Sequence, residues 1–173
     1  MRKTTFPAVL STFFVSYCFW ILLTWSWATE ELIAGAVVSL AVALFSARFF
    51  IHNKAFWFFN PAKFFTFLLY WVIIFPVELI KANWDMAKRC YGGCRKVNPG
   101  IVRVPVEIRG DYGQAQLANS ITLTPGTMTL DICEDQGRDY YYVHWIDVAE
   151  TDRDKAGDII KGTMEKWLRR IWE

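Results

Sequence analysis

The stretch Leu117–Ile132, LANSITLTPGTMTLDI, followed after a charged turn by Tyr140–Asp147, YYYVHWID, decides how the C-terminal half of the chain folds. Pro125 lacks an N–H and clashes with the preceding turn, so no helix continues through it. It also drives Thr124 out of the helical region. Pro125 and then Gly126 fit the two central positions of a type II turn, where Gly126 supplies φ > 0. Beyond the turn, Met128, Leu130 and Ile132 alternate with Thr127, Thr129 and Asp131, the pattern of a strand with one buried face. The stretch reads helix, tight turn, strand, hairpin, strand.

Upstream, Tyr91, Gly92 and Gly93 break a helix, and Asn98-Pro99-Gly100 makes a turn. Val102, Val104, Val106 and Ile108 then alternate with Arg103, Pro105, Glu107 and Arg109, a strand with one buried face. Pro105 cannot donate to a ladder, which puts this strand at a sheet edge. A helix is expected over about 112–123, then strands over about 127–134 and 139–146. In the second of these neither parity is clearly polar, so both faces are expected to be covered. A last helix, about 152–171, carries Ile160, Met164, Trp167, Leu168 and Ile171 on one stripe. Asp152 and Asp154 suit its positive end, and Arg169 and Arg170 its negative end. The order β-α-β-β-α over residues 92–173 implies a small α+β domain with helices on one face of the sheet.

The other half has a different composition. The 173 residues are 54% hydrophobic and 17% aromatic, with nine Trp, which is unusual for a domain in water. Residues 1–91 carry eight Lys/Arg against four Asp/Glu, and residues 92–173 eleven against thirteen. A membrane domain over 1–91 joined to a water-facing domain over 92–173 follows. Basic residues beside apolar runs, with no basic stripe interleaved with stacking aromatics, argue against nucleic acid as a partner.

Residues 4–29 carry no charge, and a span needs roughly 20 apolar residues. The first span is expected at about 6–27, too long for the core of a cleaved signal peptide, with Trp20, Trp25 and Trp27 as interfacial anchors. Glu30 and Glu31 make a polar turn before a second span of about 31–51. Gly35 and Ser39, with Ala36, Ala41 and Ala43, are small residues that let two helix backbones approach closely. Asn60-Pro61 then signals helix entry. The uncharged run of residues 64–77 is short for a span, so the segment of about 60–90 reads as an in-plane or partly embedded helix, or as a third apolar span. The basic residues arbitrate. Arg2 and Lys3 place the N-terminus in the cytoplasm. Two spans keep Arg48, Lys54, Lys63, Lys81, Lys88, Arg89, Arg95 and Lys96 on that side, whereas a third exports the last five.

Candidate chemistry is sparse. Cys90 and Cys94 are close in sequence, but a closed zinc site needs four ligands and the chain has two His. No metal or cofactor is expected. Histidine is the residue type of many proton relays, yet for His144 a hydrogen-bonded structural role is the simpler reading, with Asp131 or Asp147 as its partner or as a helix cap. Ser120, His144 and Asp147 have the residue types of a triad without a nucleophile elbow, so no catalysis is expected. Ion routes through membranes are marked by intramembrane ionisable residues, and neither clear span holds one deep inside. Glu78 and Lys81 are the nearest candidates and read better as interfacial anchors.

The block Asn119, Ser120, Ile121, Thr122, Leu123, Thr124, Pro125, Gly126, Thr127, with Asp131 and then Val143, His144, Trp145, Ile146 and Asp147, resembles the signature of the MrpE/MnhE/PhaE family of Mrp-type cation/proton antiporter subunits. Asn98-Pro99-Gly100-Ile101-Val102 is similar to the opening of the same domain, and the resemblance extends over nearly the whole chain. It implies an accessory subunit of a multisubunit Na⁺/H⁺ antiporter in the cytoplasmic membrane, with larger partner subunits carrying the channels. The alternative within the same resemblance is the homologous subunit of a membrane-bound hydrogenase-type complex with an Mrp-like antiporter module. A free-standing membrane-anchored binding protein is the alternative of another class.

Overall fold

The computed structural model describes residues 6–50, 60–92 and 97–173, with the backbone alone for residues 47–50. Arg2, Lys3, Lys54, Cys94, Arg95 and Lys96, on which parts of the sequence reading depend, lie outside the described residues. The chain forms two compact units, residues 1–64 and 65–173.

The first unit is a helical hairpin. Helix α1 spans Phe6–Thr24 and α2 spans Thr29–Phe50. α1 is apolar on all sides rather than on one stripe, as expected of a helix that meets no water along its length. Ala8 and Ser11 of α1 and Ser39 and Ala43 of α2 are buried between the two helices. A Cβ on Gly35 would stand 2.4 Å from the Trp20 ring. Trp20 Nε1 donates to the Glu31 carbonyl at 3.1 Å, and the Tyr17 hydroxyl to the Leu32 carbonyl at 3.3 Å.

One long helical rod begins with the last residues of the first unit and continues in the second. Helix α3, Pro61–Leu69, runs through a π turn at Tyr70–Ile74 into α4, Phe75–Tyr91. Asn60 caps it, its side-chain oxygen accepting from the Ala62 and Lys63 N–H groups. Among the described residues three helices are long and apolar enough to cross a membrane: Phe6–Thr24, Thr29–Ser46 and the rod Pro61–Tyr91.

The remainder is β1 (Gly100–Val106), α5 (Asp111–Leu123), β2 (Thr127–Asp135), β3 (Arg138–Trp145), α6 (Arg153–Lys161) and α7 (Met164–Trp172). The sheet is antiparallel with order β1-β3-β2, so β1 and its Pro105 lie at an edge. Val104, Val106, Tyr141, Val143 and Trp145 on one face, with Leu117, Ile121, Ile160, Met164, Leu168 and Ile171 from the helices, make the core. β3 is central, and its other face, Tyr140, Tyr142 and His144, is half-buried.

Two expectations are corrected. β2 does not keep one parity: a bulge at Leu130 shifts the register between Thr129 and Asp131. Met128 therefore pairs with His144 on the helix-free face, whereas Ile132 pairs with Tyr141 on the helix face. An extra residue in one strand reverses the alternation beyond it, and Met128, Leu130 and Ile132 remain exposed. The last helix is broken, not continuous over 152–171. Gly162 takes φ 51, which ends α6. A side chain is rarely stable there, and glycine's missing Cβ makes the turn possible. The break lets α6 pack on β1 while α7 packs on α5.

Candidate functional site

The block from Asn119 to Asp147 folds as a clasp between α5, the turn, the sheet and the helical rod. A helix end leaves its last carbonyls without helical donors; at the end of α5 threonine hydroxyls supply donors to the Ile121 carbonyl, and other hydroxyls bond back to carbonyls one turn earlier. The Ser120 hydroxyl donates to the Gln116 carbonyl at 2.8 Å, and Thr122 to Ala118 at 2.9 Å. Thr124 and Thr127 both donate to the Ile121 carbonyl, at 2.7 and 2.8 Å. Thr129 of β2 donates to the Ala118 carbonyl at 3.3 Å, and its own N–H reaches the Thr122 hydroxyl at 3.2 Å. The threonines thus tie the end of α5 to the first residues of β2.

Thr124 is extended, at φ −82 and ψ 132, and Gly126 has φ 96, as the Pro125-Gly126 turn requires. A Cβ on Gly126 would meet the Met86 methyl at 2.9 Å and the Ile146 side chain at 3.0 Å. The Gly126 carbonyl accepts from the Ile146 N–H at 2.8 Å, closing the turn onto the end of β3.

Two contacts join the rod to this block, and a third joins it to the break between α6 and α7. The buried Tyr70 hydroxyl donates to the Ser120 hydroxyl at 2.7 Å. Arg89 pairs with Asp147 and also with Asp85. Asp147 in turn accepts the Asn98 N–H at 3.1 Å. Glu78 accepts from the Thr163 hydroxyl at 2.8 Å beside the break between α6 and α7, and pairs with the exposed Lys81 at 3.3 Å.

A second polar knot lies under the sheet edge. Buried Glu165 accepts the Glu107 and Ile108 N–H groups at 2.6 and 3.1 Å and pairs with buried Lys161 at 2.7 Å. Lys161 also donates to the Pro105 carbonyl at 2.7 Å. The Tyr141 hydroxyl donates to the Gln114 carbonyl at 2.6 Å. Burial pushes that hydroxyl well above its ordinary range, and the charges of Glu165 and Asp139 push it further. It is therefore a fixed donor at every ordinary pH.

Among the residues singled out by sequence, Ser120, Thr122, Thr124, Pro125, Gly126, Thr127 and Asp147 come together in the clasp. Asn119 lines a shallow groove of about 410 Å³ with Ala118, Thr122 and residues 129–132. Leu123 is exposed. Asp131 bonds locally to the Ile132 N–H and the Cys133 thiol. His144 stands in register with Ile101 and Met128 and not against Asp131 or Asp147. Ser120, His144 and Asp147 are not assembled: Ser120 is held by Tyr70 and Asp147 by Arg89. Gly35 and Ser39 lie in the first unit, against α1. Among the described residues no group of three or more His, Cys, Asp or Glu is placed to hold a metal ion.

Sequence reasoning missed Tyr70, Arg89, Lys161 and Glu165. Their partners lie far away in the chain, so no local pattern announces them.

A family profile described as a Na⁺/H⁺ ion antiporter subunit matches residues 13–171. The chain is 31% identical over 164 residues to a Staphylococcus aureus protein named as the E1 subunit of a Na⁺/H⁺ antiporter, covering 92% of this chain and 94% of that one. A chain from the membrane-bound sulfane sulfur reductase, an archaeal respiratory membrane complex, is 38% identical with TM-score 0.79, over 96% of this chain and 99% of that one. A chain of the Mrp complex from Dietzia sp. is 25% identical with TM-score 0.42, over 61% of this chain and 96% of that one.

Proposed function

This chain belongs to the MnhE family of Na⁺/H⁺ ion antiporter subunits, and from that membership we propose that it is an accessory, structural subunit of a multisubunit Na⁺/H⁺ antiporter in the cytoplasmic membrane. The observation that carries the reading is the end-to-end match to a protein named as such a subunit. Residues 1–91 serve as the membrane domain and 92–173 as the cytoplasmic domain. Two spans leave Arg48, Lys63, Lys81, Lys88 and Arg89 on the side of the C-terminal domain, and this placement of basic residues favours that orientation. Its partners are the other membrane subunits, and it performs no chemical step itself. Glu30 and Glu31 stand in the first turn of α2, leaving the apolar stretches of both hairpin helices without a charge that would mark an ion path. The clasp residues hold the domain's shape and the hairpin packs on its partners.

A second reading rests on a specific observation. Identity to the chain of the archaeal respiratory complex is 38%, against 31% to the antiporter protein. The same structural role would then serve a respiratory complex. Purifying the tagged full-length chain from its native membrane in mild detergent tests both. Co-purification with antiporter subunits alone supports the first reading, and co-purification with redox subunits the second. Recovery of the chain by itself overturns both.

A further inference from the structure

The helical rod of residues 61–91 is long and apolar enough to cross a bilayer, but its contacts argue otherwise. Tyr70, Glu78 and Arg89 hold Ser120, Thr163 and Asp147, and Met86 lies beside Gly126. These four residues cover about 28 Å of helix at 1.5 Å per residue. Along that length one side of the rod carries a polar, ion-paired α+β domain. The stretch free of the domain, Pro61–Leu69, has nine residues, about half of what a span needs.

The opposite side of the rod carries Phe65, Val72, Val77, Ile80 and Trp84, all exposed, with Ile80 at 68% and Trp84 at 66%. Phe65 and Val72 lie two turns apart, and Val77, Ile80 and Trp84 follow at spacings of three and four. Val72 and Val77 are five apart, which in an unbroken α-helix would put them on different faces. The π turn at Tyr70–Ile74 absorbs the extra residue. It brings the two half-stripes onto one face while Tyr70, Glu78, Met86 and Arg89 share the other. Lys63, Lys81 and Lys88 lie along the same rod, and the Lys88 ammonium stands 5.8 Å from the Trp84 ring centre. An apolar face with aromatic residues, flanked by lysines, is the pattern of a helix lying in a membrane interface.

We propose that this rod lies flat in the bilayer interface, its Phe65–Trp84 face in the acyl boundary and its lysines at acidic headgroups. The π turn is the device that keeps lipid face and domain face in register. The occupant is lipid rather than protein because Asn60 follows the end of α2 by ten residues, so a bilayer is the apolar phase nearest in the chain, and because the flanking charges are basic. The proposal rests on membrane anchoring by the hairpin and not on which complex the chain joins.

The test uses the full-length chain with its native cysteines replaced by serine, reconstituted in vesicles containing acidic lipid. Single changes Val72→Cys, Val77→Cys, Ile80→Cys and Trp84→Cys each carry a nitroxide, and depth is read from collision with oxygen against a water-soluble nickel chelate. The expected result is four oxygen-accessible, chelate-shielded sites at depths agreeing within about 5 Å, one helical turn. Depth that changes steadily along the four sites by about 15 Å, half a bilayer core, means that the rod crosses and overturns the proposal. Sites open to the chelate, or shielded from both reagents by protein, overturn it too. Four independent sites keep the test decisive if one substitution disturbs folding, and depth reports nothing about partners, so its outcome is separate from the co-purification above.

Discussion

The hairpin and the α+β domain are held together by opposite means. In the hairpin, Gly35, Ser39 and Ala43 follow one another at every fourth residue of α2 and bring it against α1. Shape does the selecting there: lipid is as apolar as the helices, so close approach of small residues is what favours one helix pairing over others. In the domain the decisive contacts are polar: threonine hydroxyls on helix carbonyls, Arg89 on Asp147, Lys161 on Glu165. Water competes for every one of these groups, so each matters most where it is buried. The two regions should therefore fail under different substitutions.

The largest effect is expected from Glu165→Ala. It leaves the Lys161 ammonium buried and unpaired and two strand-end N–H groups without an acceptor. Breaking a buried pair in this way costs about 3–5 kcal/mol. The near-UV melting transition of the domain in the detergent-solubilised full-length chain should fall sharply, while the far-UV helical signal of the hairpin persists. Equal loss of both signals would erase the contrast between the regions.

Gly35→Leu is the converse probe. Even a methyl group meets the Trp20 ring at 2.4 Å, and overpacking costs about 1–3 kcal/mol, occasionally more. Ser39→Leu should act in the same direction, because Ser39 is buried on the same face. The measurable outcome is reduced recovery of the assembled complex by affinity tag, with the domain's melting transition unchanged. Normal recovery of both variants would show that close helix approach does not matter there.

Within the domain, Gly126→Val forces a β-branched residue to φ 96 and drives its Cβ toward Met86 and Ile146. Strain of about 1–3 kcal/mol is expected, read as a lower melting temperature. An unchanged melt would refute the turn assignment.

The smallest effect is a pH dependence at Glu173. Burial alone would raise its carboxyl, but the Arg109 N–H and the Arg169 guanidinium outweigh burial and hold it below its ordinary value. A depressed folded value means that its contribution is present at neutral pH and is lost as pH falls through that value. Glu173→Gln should lower the melting temperature slightly at neutral pH and not at all once the wild-type carboxyl is protonated. A difference that grows on acidification would reverse the sign and contradict the pairing.

How much of this was legible in the sequence follows the range of each interaction. Pro125, Gly126 and the alternation around them act within a few residues, so the turn, the two strands and the edge position of β1 could be read directly. The apolar runs of α1 and α2 were equally plain, because a bilayer demands length and composition and little else. The bulge at Leu130 could not be read, since it depends on what β3 offers opposite it. The break at Gly162 was hidden by a stripe of apolar residues that keeps helical spacing on both sides of the glycine. Tyr70, Arg89 and Glu165 find partners more than fifty residues away or at that separation, and a single sequence carries no trace of such pairs.

The central claim is that the block from Asn119 to Asp147 and the rod it grips are structural and lie off the ion path. The direct measurement is Na⁺-dependent pH change in inverted vesicles, normalised to the complex recovered by affinity tag, for Glu78→Gln, Lys81→Gln and His144→Gln made singly. Substantial antiport per assembled complex is expected from all three. Antiport abolished by Glu78→Gln in a fully assembled complex would contradict the account and put this chain on the route of the ions.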